Sequence, residues 1–360
     1  MSERMERVQA ALAAAGTDLM ALGPGPHMRW LLGFHPMPDE RPCLLLVTPA
    51  RAALLMPALN AAEARQHTDL PMLEWADTDG PQAALGRALD ALGTRTARRL
   101  ALDEAMRTDF ALLVQRALPG AESRLAGALM APLRMRKDAA EQAALRENAV
   151  IADAAMEAVL AAMAPGVTEA ELAQVARAAF REHGAQPLFT IVGAGPNGAF
   201  PHHHTGDTPL REGDAVVVDI GARKGAFSSD ITRMAAVGHV PEGYAAVHAA
   251  VEQAVQAALD AARPGVRASQ VDRAARGVIE AAGYGAQFVH RTGHGMGLEP
   301  HEPPWIAAGE TTVLEPGMVF TIEPGIYLEG RFGLRLEEVV ILQEDGPEVL
   351  SRLPRECRVV

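Results

Sequence analysis

Four carboxylates and one histidine in the second half of this 360-residue chain stand at spacings that could hold metal ions. Asp219 and Asp230 flank Gly221-Ala222-Arg223-Lys224-Gly225-Ala226-Phe227, a stretch able to fold back around Lys224-Gly225. A hairpin centred there predicts the two aspartates directly opposite each other, with Cβ atoms about 4.5–5.5 Å apart. Glu323 and Glu337 are centred on Gly330, so a second hairpin predicts the same for two glutamates. Four acids brought together repel one another unless they are protonated or neutralised by cations. Two divalent ions roughly 3.5–4 Å apart would neutralise them. His290, His294 and His301 share a glycine-rich segment, and Gly293 and Gly295 are expected to let the His294 ring and backbone come close to a metal. One nitrogen among oxygen ligands suits Mn²⁺, Co²⁺ or Zn²⁺ better than Ca²⁺. A solvated acidic hairpin explains either pair alone. Two pairs at matching positions, each embedded in apolar sequence, argue against that.

The elements that must position these residues are duplicated. Ala164-Pro165-Gly166-Val167 ends one alanine-rich helical stretch and Arg263-Pro264-Gly265-Val266 another. A second amphipathic segment follows each, Thr168 to His183 and Arg267 to Ala282, and both close on Gly-Ala-Gln. Leu210-Arg211-Glu212-Gly213 then leads to Asp219, and Leu314-Glu315-Pro316-Gly317 to Glu323, with the acid six residues past the glycine in both. Pro201-His202 has its counterpart in Pro300-His301. Helix pairs followed by β-branched runs, Ala215 to Ile220 and Met318 to Ile322, predict a sheet covered by helices. The region before this, residues 1–132, lacks the pattern. It reads as a smaller α/β unit, with an amphipathic start at Met5 to Ala15 and apolar runs at Leu19–Leu22, Cys43–Val47, Ala53–Met56 and Leu100–Leu102.

Composition narrows the classes further. A hydrophobic fraction of 49% with 22% charged residues is that of a globular protein, and a net charge of −12 gives no support for nucleic-acid binding. Cys43 and Cys357 match no metal or redox spacing and read as free thiols. No apolar run approaches the roughly 20 residues of a membrane-spanning helix, and no signal-peptide stretch follows Met1, so a cytoplasmic location is expected. Gly193-Ala194-Gly195-Pro196-Asn197-Gly198 has the dinucleotide-binding spacing but leads into Phe200-Pro201 instead of a helix. His301-Glu302-Pro303-Pro304-Trp305 begins like a helical zinc motif and ends without its second histidine.

With these residues in place the chain resembles the metal-dependent pita-bread peptidases, in the branch of prolidase and aminopeptidase P. The family's metal pattern of Asp, Asp, His, Glu, Glu is matched by Asp219 in Val218-Asp219-Ile220-Gly221, Asp230 in Ser229-Asp230-Ile231-Thr232-Arg233, His294 in Gly293-His294-Gly295, Glu323 in Ile322-Glu323-Pro324-Gly325, and Glu337 in Arg335-Leu336-Glu337. The resemblance implies an α/β (α+β) chain. Its pita-bread catalytic domain, residues 133–360, carries a pseudo-two-fold duplication and follows a creatinase-like N-terminal α/β domain, residues 1–132. It also implies two divalent ions, Mn²⁺ ahead of Co²⁺ and Zn²⁺, bridged by Asp230 and Glu337, with Asp219 on one ion and His294 with Glu323 on the other.

The same resemblance places His202 and His301 on the substrate and its developing oxyanion, and His290 as a third substrate-side histidine. Pro300 departs from the branched apolar residue usual before His301. Glu323 is the expected proton shuttle, and Arg335 the expected partner that orients Glu337. His203 and His204 read as surface residues, with the pocket border as the alternative for His203. The expected substrate is a small peptide with proline second, cleaved as a dipeptide by a homodimer. Arg41, on the loop Phe34 to Pro42, is the candidate for the substrate's free carboxylate. Aminopeptidase P activity on longer peptides is the alternative, and a non-catalytic binding protein the third reading.

Overall fold

The computed structural model describes residues 2–360, which divide into two compact units between Arg134 and Met135. In the first, unbroken apolar runs such as Leu19–Leu22 and Leu44–Val47 form strands buried along their whole length. Such runs suit a sheet covered on both faces. The mixed six-stranded sheet runs Met72–Trp75, Ala52–Pro57, Leu44–Val47, Leu19–Leu22, Arg99–Leu102, Glu122–Leu125. Helices Gln82–Leu92 and Thr108–Ala117 pack Leu85, Leu89, Phe110 and Val114 against Leu19, Leu44, Leu46 and Leu55.

The second unit repeats its local architecture. Helix Ala139–Ala162 opens with a capping box of Asp138 and Glu141, and helix Glu169–Glu182 with one of Thr168 and Glu171. Their counterparts are Tyr244–Ala261 and Ala268–Ala281. Gly166 and Gly265 turn the chain between the paired helices at φ of 90° and 86°, a left-handed geometry that glycine adopts without a Cβ penalty. Gly166 donates its N–H to Leu210 O and Gly265 to Leu314 O, both at 2.8 Å. The bridges Thr168–Pro209 and Arg267–Val313 repeat as well. The duplication in the sequence is therefore a duplicated hydrogen-bond pattern.

One five-stranded sheet contains Gln186–Ala194, Ala215–Lys224, Phe227–Ser228, Ile231–Ala236 and the terminal Arg358–Val359. The other contains Glu302–Ile306, Gly293–Gly295, Val319–Ile322, Glu338–Gln343 and Gly346–Val349. Leu172 and Phe180 pack with Val218 and Ile220 in the first half, and Val251 and Val255 with Phe320, Ile322 and Val340 in the second. Among the described residues no helix is long and apolar enough to cross a membrane.

Arg233 joins the two sheets from inside. Only 2% exposed, it donates to Glu337 O at 2.5 Å, Glu338 Oε1 at 2.9 Å, Ser351 Oγ at 3.0 Å and Leu353 O at 2.9 Å. Removing it strands the buried Glu338 carboxylate with only Arg355 as a cationic partner, at 3.3 Å. Arg233→Met is expected to cost about 3–5 kcal/mol in urea unfolding. A loss below about 1 kcal/mol would show that water or Arg355 replaces it.

Candidate metal centre

Strand register sets where the four acids fall. Arg223 pairs with Ser228 and Ile220 with Ile231, so the first hairpin turns at Gly225-Ala226, one residue later than expected. Asp219 therefore faces Thr232, and Asp230 lies across from Gly221. The two aspartates are diagonal neighbours on one face, and the expectation that they stand directly opposite is corrected. A side-chain period of two keeps both on the same side despite the shift. In the second hairpin Ile322 pairs with Glu338 and Gly325 with Arg335, which leaves Glu323 and Glu337 opposite each other as expected.

The five candidates lie around one cleft of about 620 Å³, which His202, His290, His301 and Arg335 also line. Their donor atoms form two triads that share Glu337, one with Asp219 and Asp230, the other with His294 and Glu323, each within 4.8 Å. A third triad joins Asp230, His294 and His301. His294 Nε2 stands 3.1 Å from Glu323 Oε1 and 3.9 Å from Asp230 Oδ2. The other ring nitrogen, Nδ1, lies 3.1 Å from Gly295 O and can donate its proton there.

Electrostatics follow from crowding in a dry site. Burial raises Asp219 above the usual carboxylate range despite Arg335 beside it. Asp230 and Glu337 are pushed well above that range by burial and by neighbouring carboxylates. Glu323 goes the other way: burial opposes, but the hydrogen bond and charge of His294 hold it down at about 2. His301, its ring 4.0 Å from that of His294, is lowered to about 4 by burial and by the charges of His294 and Arg291.

Several expectations are revised by what surrounds the acids. Arg335 orients Asp219, its Nη2 2.5 Å from Oδ2, and reaches Glu337 only through Thr232, which donates to Glu337 Oε2 at 2.8 Å. Tyr327, which the sequence did not single out, puts its hydroxyl between Arg335 Nη1 at 2.7 Å and His290 Nε2 at 2.9 Å. Gly293 and Gly295 are small for packing: a Cβ would strike Thr321 O at one and the Glu302–Pro303 backbone at the other. His203 is only partly exposed. Its Nε2 lies 2.8 Å from Glu169, whose buried carboxylate also accepts from Ala194 N, Asn197 Nδ2 and Gly206 N and so braces the His202 loop. Asp272, on the equivalent helix of the other half, accepts from Thr292 N and Oγ1 and pairs with Arg276, which donates to His290 O. Glu302, the chain neighbour of His301, forms a buried pair with Lys137, 2.6 Å apart. Period-two spacing could have flagged Thr232 beside Asp230 and Thr321 beside Glu323, since each shares its neighbour's strand face. Nothing local marks Glu169 or Asp272. Arg41 lies in the first unit, where Asp77, Asp39 and Glu40 engage its guanidinium.

Two duplicated halves, each lending a carboxylate hairpin to a cleft edged with histidines, define a peptidase of the pita-bread class. The chain belongs to metallopeptidase family M24, matched over residues 143–344, and residues 4–136 match the creatinase/prolidase N-terminal domain. It is 39% identical to a probable dipeptidase, PepE, of Mycobacterium tuberculosis over 100% of this chain and 96% of that protein. The crystal structure of dipeptidase PepE from Mycobacterium ulcerans superposes with a TM-score of 0.94 at 38% identity, covering 99% of this chain and 97% of that one. A recombinant prolidase from Thermococcus sibiricus gives 0.94 at 32% identity over the full length of both chains.

The donor set fits divalent cations on its own terms. Asp219 Oδ1 is buried with no hydrogen-bond partner, an orphaned acceptor beside acids that already repel one another. Removing one negative charge is therefore expected to stabilise the metal-free protein while weakening its response to metal. With chelator at pH 8, Asp230→Asn should be more stable than wild type by roughly 1–3 kcal/mol. With Mn²⁺ added, the wild type should gain the larger rise in Tm. Calorimetric melts that rank the metal-free proteins the other way would sink this account.

Proposed function

We propose that this protein is a Xaa–Pro dipeptidase that uses two divalent metal ions, Mn²⁺ first among them, and works as a homodimer. The observation that carries the reading is the meeting of Asp219, Asp230, His294, Glu323 and Glu337 in one cleft with His202, His290 and His301 at its edge. Relatives named Xaa–Pro dipeptidase, such as that of Pyrococcus horikoshii at 29% identity over 99% of both chains, support the substrate class. The catalytic domain is residues 133–360, and residues 1–132 form the creatinase-like domain.

Asp219, Asp230 and Glu337 would hold one ion, and His294, Glu323 and Glu337 the other, with Asp230 shared between them. Bound there, the ions would acidify the attacking water and polarise the scissile carbonyl. Glu323, ionised through its contact with His294, takes the proton of the attacking water and delivers it to the proline nitrogen as the C–N bond breaks. That nitrogen leaves as a secondary amine, so the atoms balance with one water consumed. His301, held neutral, and His202 donate hydrogen bonds to the substrate and to the oxyanion that develops on the carbonyl oxygen. Arg335 favours the ionised form of Asp219 against the burial that opposes it, and holds that side chain in place.

Hydrolysis of Ala-Pro beside Ala-Pro-Ala, with Mn²⁺ and after chelation, tests this reading. Metal-dependent release of proline from the dipeptide alone is expected. Cleavage of the tripeptide after its first residue would instead assign aminopeptidase P activity, and no cleavage of either with Mn²⁺, Co²⁺ or Zn²⁺ would favour a binding protein. Within the same assay His202→Ala is expected to lower kcat by about 10²–10³. Calorimetric Mn²⁺ affinity should not change, because His202 touches substrate and not metal. A loss of metal binding would reassign it as a ligand.

A further inference from the structure

Among the described residues, one cation of the cleft stacks on a ring and pairs with no carboxylate. Arg291 lines the cavity, half-buried, with its guanidinium carbon 4.4 Å from the centre of the Trp305 ring. Stacking holds the planar group in place without consuming any of its donors. Among the described residues its side chain makes no hydrogen bond or ion pair. The other arginines near the histidines are engaged, Arg276 by Asp272 and Arg335 by Asp219. Burial pulls the Arg291 pKa down, Glu323 opposes that, and its charge in turn helps lower His301, so the charge acts on the reacting side of the cleft. A guanidinium partly stripped of water and left unpaired has a cost that an incoming anion would offset.

We propose that Arg291 is the receptor for the substrate's C-terminal carboxylate and so restricts cleavage to dipeptides. This rests on the dipeptidase reading above and names the residue that makes it one. In Xaa–Pro the carboxylate carbon lies only three covalent bonds beyond the scissile carbonyl carbon, within about 4 Å. Its receptor must therefore sit beside the catalytic histidines. Arg291 is the chain neighbour of His290 and three residues before His294. A guanidinium fork matches a carboxylate in two parallel hydrogen bonds. Arg41, the sequence's candidate for this task, already has three carboxylates as partners.

The test pairs hydrolysis with binding. Mn²⁺-loaded wild type, Arg291→Lys and Arg291→Met are assayed on Ala-Pro and Ala-Pro-amide. The same proteins are titrated calorimetrically with the non-hydrolysable reduced-bond analogue of Ala-Pro, as free acid and as amide. Wild type is expected to prefer the acid by at least about tenfold in both measurements. Arg291→Met should collapse that preference toward one, with the change in KM and not in kcat, and Arg291→Lys should restore part of it. Equal handling of acid and amide by wild type overturns the receptor and leaves the peptidase reading standing. A preference that survives in Arg291→Met overturns it too. Binding that favours the acid without hydrolysis of either substrate keeps the receptor and overturns the peptidase reading. With Asp-Pro assayed beside them, a loss in Arg291→Met confined to Asp-Pro would mean that the residue reads an acidic first side chain, and the C-terminal assignment fails.

Discussion

Crowding four carboxylates into one buried cleft is the constraint on which the second unit depends. Each acid loses water, and each faces others of the same sign, so the apoprotein holds Asp230 and Glu337 far from their ordinary titration range. Protein groups offset only part of this. Arg335 bonds Asp219, His294 bonds Glu323, and Thr232 donates to Glu337. An acceptor on Asp219 remains without a partner. The donor set thus suits cations, and its cost in stability without them is a consequence of that arrangement.

Such a cluster must be held by a frame that does not relax, and the duplicated halves supply it in the same way. In each, the second helix of the pair carries a buried acid that fixes a histidine-bearing loop, Glu169 for His202 and Asp272 for the His290–His294 segment. The two acids are not at equivalent positions. Glu169 stands at the first residue of its helix and Asp272 one turn further into the other. Common ancestry of the halves accounts for the helix pairs and the turns at Gly166 and Gly265. It does not account for these anchors, which follow from the different loops each half must hold.

Much of the centre was legible before folding. The five candidates cluster and the two helix pairs form as the repetition predicts, and the histidines that the resemblance put on the substrate side line the same cleft. The failures have a common form. The first hairpin was placed one residue early because Lys224-Gly225 and Gly225-Ala226 are equally plausible turn centres in a one-dimensional reading. The alternation of side chains hid the error, since a shift of the turn by one moves the partner by two and leaves the face unchanged. Gly293 and Gly295 were assigned to metal approach when their neighbours are the carbonyls of adjacent strands. His203 was assigned to the surface because Glu169 lies 34 residues away in sequence.

What the sequence by itself determined is the class of chemistry: the donor types, their number, and a symmetric frame able to bring them together, because these follow from residue identity and short-range periodicity. What only the tertiary structure decided is which partner each charged group has. Arg335 found Asp219 where Glu337 was expected, Arg41 found three acids of its own unit, and Arg291 was left with an aromatic face and, among the described residues, no ion pair. The pairing of Arg335 with Asp219 depends on strand register and side-chain direction across 116 residues of chain, and no local spacing in the sequence encodes that distance.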